Sequence, residues 1–283
     1  MKKWVKILII FCVFAGLLAG YLVWGNKSVG VTEYTVSPAD LPDSFDGFRI
    51  VQVSDLHNSD PDGKLLRKVA DAKPDIIVIT GDIVDAEKTD IPFAVQLAKK
   101  IAEIAPVYYV SGNHEYRTGQ YETLRPLLVE AGINVLESET VKINRNGEEI
   151  SISGINDAMF FGSGEDNSDL AEFSAELKKL SEKADCDTNI LLCHIPQIFE
   201  LYIECGYDLV FTGHAHGGQF RFPIIGGGFF APGQGWWPEY TEGMHTSGNT
   251  NMIISRGIGN SSFPLRLFNR PELVVCELSG ESK

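Results

Sequence analysis

After residue 27 no cluster of lysine or arginine occurs in this 283-residue chain, whose formal charge is −14, from 38 Asp and Glu against 24 Lys and Arg. An acidic surface repels extended polyanions, and nucleic-acid binders carry a basic footprint, so broad nucleic-acid binding is disfavoured. The five cysteines form no CxxC pair: Cys12 lies in an apolar run, and Cys186, Cys193, Cys205 and Cys276 are scattered. That spacing excludes the paired-cysteine motifs. An exported domain would permit disulfides, but one of this size needs none, and small buried hydrophobes are the better reading. Internal repeats and low-complexity tracts are also missing. Histidine is scarce, with six residues, yet five of them fall inside short motifs that follow apolar runs.

Residues 7–24 read ILIIFCVFAGLLAGYLVW, an uncharged stretch at the lower length limit of a membrane-spanning helix. Lys2, Lys3 and Lys6 precede it, and such an excess marks the cytoplasmic side. The expectation is a single-pass cell-membrane protein with the domain after residue 24 on the extracytoplasmic side. A cleaved signal peptide is the competing reading, since Ala15, Gly16, Ala19 and Gly20 are small. Tyr21 to Trp24 continue the apolar stretch past them, and no Cys follows to suggest a lipobox, so an uncleaved anchor is favoured. A buried helix of a soluble domain is the bland alternative. The expected division is an anchor (or signal peptide) at 1–25, a linker with a first strand at 26–45, and the main domain at 46–283.

Strand and helix alternate in the first half. Residues 49–54, 75–80 and 107–111 read as strands, and 63–73, 91–104 and 121–131 as helices stopped by Pro74, Pro106 and Gly132. This implies parallel strands with helical crossovers. Short strands at 135–136, 140–144 and 149–153 follow, with Asn146-Gly147 as a hairpin turn. A helix at 170–184 precedes buried strands at 189–193 and 209–212, which flank a helix near 198–205. Past His216 the chain is rich in Gly and aromatics, and two last strands lie at 252–255 and 273–278. The expected fold is α/β, a four-layer αββα sandwich of two mixed sheets preceded by an N-terminal transmembrane helix.

The motifs are Asp55-Leu56-His57, Gly81-Asp82-Ile83-Val84-Asp85, Gly112-Asn113-His114-Glu115, Cys193-His194 and Gly213-His214-Ala215-His216. Ligands in open α/β sheets gather beyond the carboxyl ends of strands, which puts these groups at one edge. In extended backbone, i, i+2 spacing would send Asp55 and His57 to one face, and likewise His214 and His216. Cys193, one residue before His194, should point the other way. Imidazole, carboxylate and amide oxygen suit zinc, manganese or iron. Seven ligands are too many for one closed tetrahedral site and fit two adjacent cations bridged by a shared carboxylate. That arrangement clamps both oxygens of a phosphoryl transfer.

The ordered set D-x-H, G-D-x-x-D, G-N-H-E, H and G-H-x-H resembles the calcineurin-like metallophosphoesterases, in family order across residues 55–216. The resemblance implies a phosphoester substrate and two divalent metal ions (Zn, Mn or Fe). Asp55, His57 and His216 would hold the first; Asn113, His194 and His214 the second; Asp82 would bridge them, with a bridging hydroxide as nucleophile. His114 would donate a proton to the leaving oxygen, and Asp85 would orient it and raise its pKa. Purple acid phosphatases place Tyr where this chain has Asp85, so an Fe(III)–phenolate site is not expected. Ala86-Glu87 after Asp85 departs from the Arg-Gly of the protein-phosphatase branch. Residues 214–223, with Ser255-Arg256-Gly257 and Arg270-Pro271-Glu272, look similar to a membrane-anchored bacterial subgroup, implying a small or lipid-linked envelope phosphodiester. A non-catalytic metal-stabilised envelope protein and an exported nuclease are the alternatives.

Other residues leave two readings each. Arg117, Arg221, Arg256 and Arg266 could grip a substrate phosphate or form ordinary salt bridges. Phe229, Phe230, Trp236 and Trp237 could form a lip at the membrane interface or pack as a loop on the second sheet. Gly226 to Gly228 reads as a flexible turn. His245 is expected in a solvated polar loop.

Overall fold

The computed structural model of the chain describes residues 3–61, 63–164, 169–222, 226–260 and 263–280. Its first half contains α1 (Lys3–Lys27), β1 (Gly30–Val36), β2 (Arg49–Val53), α2 (Leu65–Asp71), β3 (Ile76–Thr80), α3 (Ile91–Ala102), β4 (Val107–Val110), α4 (Asn113–Arg117), α5 (Tyr121–Glu130) and β5 (Ile133–Val135). The second half contains β6 (Glu139–Arg145), β7 (Glu148–Gly154), α6 (Ala171–Ser181), β8 (Asn189–Leu192), α7 (Phe199–Glu204) and β9 (Leu209–Thr212). Five more strands follow: β10 (Phe230–Ala231), β11 (Gly235–Trp236), β12 (Gly243–Ser247), β13 (Thr250–Ile254) and β14 (Glu272–Leu278).

Two six-stranded mixed sheets result, ordered β1-β14-β2-β3-β4-β5 and β12-β13-β9-β8-β7-β6. In the first, β2 to β5 run parallel, and β14 is antiparallel to β2 and parallel to β1. In the second, β7, β8, β9 and β13 run parallel, with hairpin partners β6 and β12 at the edges. β1 thus makes the connector after α1 an edge of the first sheet.

Period-two burial creates the layers. On β3, Ile76 and Val78 join Ile50, Ile190, Leu192 and Phe211 between the sheets. Ile77 and Ile79 face the other way, packing with Leu97, Ile101 and Leu128 of the outer helices. A third cluster joins Leu191, Cys193 and Val210 to Phe173 and Leu177 of α6 on the far side. The four-layer αββα sandwich follows, and each such fully buried side chain stabilises it by ~1.5–3 kcal/mol. Local signals agree: α3 buries Ile91, Ala94, Leu97, Ala98 and Ile101, and its N-cap Asp90 accepts from Phe93 N at 3.0 Å. Asn146 and Gly147 both have positive φ, 55° and 92°, as a two-residue hairpin turn requires.

One expectation needs correction. His245 lies on β12, a strand paired with β13, with its Nε2 3.1 Å from Glu242 O. Gly, His and Ser dilute the alternation there, and pairing with β13 supplies what local preference lacks. The aromatic loop holds the short β10–β11 hairpin; its residues 223–225 lie outside the described residues.

α1 is apolar on every side and unburied over its most hydrophobic window, where mean hydropathy is 2.5. At 1.5 Å per residue its 25 residues span about 38 Å, long enough to cross a membrane. Its C-terminal end is tied to the domain. Asn26 Nδ2 donates to Arg266 O at 2.9 Å, and Arg266 N donates to Asn26 Oδ1 at 2.6 Å.

Candidate metal centre

Each predicted ligand sits just past the end of a parallel strand: Asp55 and His57 after β2, Asp82 after β3, Asn113 after β4 at the start of α4, His194 after β8 and His214 and His216 after β9. Both sheets deliver these positions to one edge, and all seven residues are buried. Ligand atoms of Asp55, His57, Asp82 and His216 lie within 4.8 Å of one another, and so do those of Asp82, His194 and His214. Asp82 belongs to both groups. Its Oδ2 is 3.2 Å from His194 Nε2 and 3.6 Å from His57 Nε2. Asn113 Oδ1 joins the second group, 3.2 Å from His194 Nε2 and 2.9 Å from His214 Nδ1.

The backbone differs from the extended form expected for the D-x-H and H-x-H pairs. Asp55, His57, Asn58, Asp82, His214 and His216 all occupy the left-handed region, with φ from 44° to 68°. A left-handed turn lets ligands two apart converge on a point rather than line up along a strand. Asn, Asp and His tolerate it better than most residues, yet such strain costs on the order of 1 kcal/mol or more each and collects at functional sites. Glycines leave the room. A Cβ on Gly213 would lie 2.0 Å from Ser54 Oγ and 2.4 Å from Asp55 Oδ2, and one on Gly112 would lie 2.3 Å from Asp82 Oδ1.

Hydrogen bonds fix the orientations. Ser54 Oγ donates to Asp55 Oδ2 at 2.6 Å, and His214 N donates to Asp55 Oδ1 at 3.0 Å. His114 N donates to Asp82 Oδ1 at 2.8 Å. His194 Nδ1 donates to Thr80 O at 2.7 Å, which turns its Nε2 towards the cluster. Glu115, quoted in the motif but given no role there, is buried and accepts from Gly112 N at 2.6 Å, Asp82 N at 2.8 Å and Val84 N at 3.2 Å. It ties the Asp82 turn to the Asn113 turn. The signal that could have found it is its place three residues after Gly112, at the start of α4.

The donor set tests whether a cation fits. His57 Nε2 and His216 Nε2 face each other at 3.1 Å, and His214 Nε2 is buried without a hydrogen-bond partner among the described residues. Burial lowers His214 to about 3 and pushes His216 well below the ordinary histidine range, so both rings are neutral. Burial opposes ionisation of Asp82, but His194, His114 and His57 hold it well below the usual carboxylate range. Burial raises Asp55, against His194 and with Asp82. The carboxylates in turn raise His57 and His194 against burial, and buried imidazole nitrogens and carboxylate oxygens converging this closely are the environment that divalent cations satisfy.

Asp85 and His114 divide their work differently from the expectation. His114 Nδ1 accepts from Ala86 N at 2.9 Å and lies 3.9 Å from Asp85 Oδ2, which is nearer His57 Nδ1 at 3.5 Å. The His57 interaction, with Lys88 and Glu87 N–H groups and against burial, brings Asp85 down to about 2. His114 is lowered, not raised: burial outweighs the pull of Asp82 and Asp85.

The arginines also separate. Arg266 is buried and donates to Asn260 Oδ1, Arg256 O, Gly259 O and His216 Nδ1. Arg256 pairs with Glu272 and Glu242, and Arg221 with Glu242. These three are held within the protein. Arg117 lines a cavity of about 250 Å³ with Asp82, Asn113, His114, His214 and His216. Cys193 points away from the cluster, with its Sγ 3.0 Å from Tyr202 Oη, and all five cysteines are free.

The family model for calcineurin-like phosphoesterases matches residues 48–218. An uncharacterized metallophosphoesterase of Bacillus subtilis, YkuE, is 31% identical over 301 aligned residues covering 99% of each chain. Phosphodiesterase YaeI of Escherichia coli is 30% identical over 249 residues, 85% of each. A Bos taurus protein named as a transmembrane protein with a metallophosphoesterase domain is 27% identical over 268 residues, 88% of this chain and 57% of that one.

Proposed function

Because this chain belongs to the calcineurin-like phosphoesterase family and is a metal-dependent phosphoester hydrolase, we propose that it is a phosphodiesterase of the cell envelope. Its substrate is small or lipid-linked. It is held by α1 as a single-pass protein with the hydrolase on the extracytoplasmic side. The observation that carries the reading is that one buried carboxylate, Asp82, belongs to two ligand groups.

Asp55, His57 and His216 would hold one divalent ion, Asn113, His194 and His214 another, and Asp82 both. Such a pair supplies a water acidified towards neutrality and positive charge for the phosphoryl oxygens. The rest falls to the chain. Ala86 N–H occupies His114 Nδ1, so a neutral ring keeps its proton on Nε2. Burial holds that ring neutral at physiological pH. His114 Nε2–H then offers a hydrogen bond to the leaving oxygen as negative charge develops on it, and Arg117, on the same cavity wall, meets the phosphoryl group. Asp85 steadies His57. Glu115 holds the Asp82 and Asn113 turns in register.

Turnover of bis(p-nitrophenyl) phosphate with added Mn²⁺ tests this. Wild type is expected to be active, and His114→Ala to lose about 10²-fold or more in kcat with unchanged metal content. Full activity in His114→Ala would remove its assigned role. An inactive wild type with both ions bound would favour the metal-stabilised structural protein instead.

A further inference from the structure

The cavity over the candidate metal centre is lined by Asp82, Asn113, His114, His214 and His216 and by apolar side chains, and it has an apolar mouth where Phe230 and Phe263 are exposed. Outside the mouth the aromatics continue. Phe220 contacts Phe263 at 5.2 Å and Phe229 at 6.5 Å between ring centres. Phe229 contacts Trp236 at 4.9 Å and Trp237 at 5.2 Å, and Phe230 contacts Trp236 at 5.3 Å. A soluble surface hides such groups, yet Trp236 is 66% and Trp237 57% exposed, and Phe230, Phe263 and Phe268 are exposed as well.

The end of α1 says what covers this rim. Phe268 stacks on Tyr21 of α1 at 5.2 Å, and Phe220 bridges to Leu267 beside it. The Arg270 guanidinium sits 4.4 Å over the Trp24 ring, and Lys27 closes the helix. Tyr21 and Trp24, with cations beside them, form the kind of belt that sits at the headgroup level of a bilayer. The rim is continuous with that belt, and the Asn26–Arg266 clamp fixes its height against the helix.

We propose that Trp236, Trp237, Phe230, Phe263 and Phe268 seat in the bilayer interface beside α1. The cavity then opens onto lipid and the substrate is a membrane-resident amphiphile, a phosphodiester carrying an acyl or alkyl chain. This rests on the phosphoesterase reading and deepens it. The chain of the amphiphile leaves along the apolar mouth. A separate polar cavity of about 370 Å³, lined by His57, Asn58, Asp85, Glu87, Lys88 and Asp90, takes the hydrophilic end.

The test uses the full chain reconstituted in phosphatidylethanolamine–phosphatidylglycerol vesicles. In a Trp4→Phe/Trp24→Phe background the remaining tryptophans are Trp236 and Trp237, and lipids brominated high on the acyl chain are expected to quench them. Absence of quenching overturns the proposal, as it would if a second copy or a protein partner covered the rim. In parallel, Trp236→Ser/Trp237→Ser is compared with wild type on two probes, p-nitrophenyl hexadecyl phosphate in the bilayer and soluble bis(p-nitrophenyl) phosphate. The variant is expected to lose about tenfold on the embedded ester and to stay within about twofold on the soluble one, which also shows that it folds. Equal effects on both probes overturn the proposal. A wild type inactive on both overturns the phosphoesterase reading instead, and quenching still decides the rim.

Discussion

Adding one methyl group at Gly213 separates a site built by close packing from one that merely contains the right residues. A Cβ there would lie 2.0 Å from Ser54 Oγ and 2.4 Å from Asp55 Oδ2, so about 1 Å or more must open. Ser54 is fully buried and cannot swing freely. Its Oγ donates to Asp55 Oδ2 at 2.6 Å and accepts from Thr80 Oγ1 at 2.8 Å. Rotating it away leaves a buried carboxylate oxygen short of a donor, at ~1–3 kcal/mol. Moving the backbone instead draws His214 N from Asp55 Oδ1 and overpacks the core, again at ~1–3 kcal/mol. Either way Gly213→Ala should lose about 1–3 kcal/mol of stability and still fold, since domains have ~5–15 kcal/mol in hand. A ligand displaced by about 1 Å should reduce turnover by ~10²-fold. Gly206→Ala is the control. It carries φ 74° with nothing near its Cβ, so it should cost about 1 kcal/mol of strain and no activity. Denaturation midpoints, elemental analysis and bis(p-nitrophenyl) phosphate turnover are measured together. If Gly213→Ala keeps wild-type metal content and turnover, the packing of Ser54, Asp55 and Gly213 does not hold the ligand, and the reasoning fails.

Glu115→Gln keeps shape but turns an amide NH₂ toward backbone donors, so a loss of ~2–3 kcal/mol and weakened metal retention are expected in a melting and chelator-competition series. Asp157, raised by burial to about 6 from 3.8, holds a proton in the folded state that the unfolded chain has released, so stability should fall by ~3 kcal/mol as pH rises through that window. Asp157→Asn should abolish that fall, giving a higher urea midpoint than wild type for the metal-free protein at about pH 8 but not at about pH 4; parallel curves would refute it. Tyr202→Phe strips the donor from Ile195 O, one residue past His194, and should cost ~1–3 kcal/mol while leaving turnover intact.

How much of this was legible beforehand varied by element. The inner strands and their helical crossovers were readable because burial on both faces writes continuous apolar runs and amphipathic stripes into local sequence. β12 was not, because Gly, His and Ser carry little strand preference and the pairing with β13 creates the strand. Ligand residues stood out by type and by their place after strands. Their backbone did not: i, i+2 spacing suggests extension, whereas the turns are left-handed. Arg266 left two readings, a phosphate grip or a structural arginine, and it is sealed among carbonyls beside His216. Asp85 looked like the partner of His114, a place taken by the Ala86 amide.

Residue chemistry and local periodicity alone determined the donor types, their order along the chain, the layers of the sandwich and an apolar segment able to cross a membrane. Only the tertiary structure decided which donors meet. His57 and His216 are 159 residues apart in sequence and 3.1 Å apart in space, and sheet order sets that contact. The same holds for the end of α1 reaching the aromatic rim, a contact 240 residues long at the Asn26–Arg266 clamp. Local sequence encodes what a side chain can do; the non-local pairing of strands selects its neighbours, and the neighbours determine charge, orientation and access.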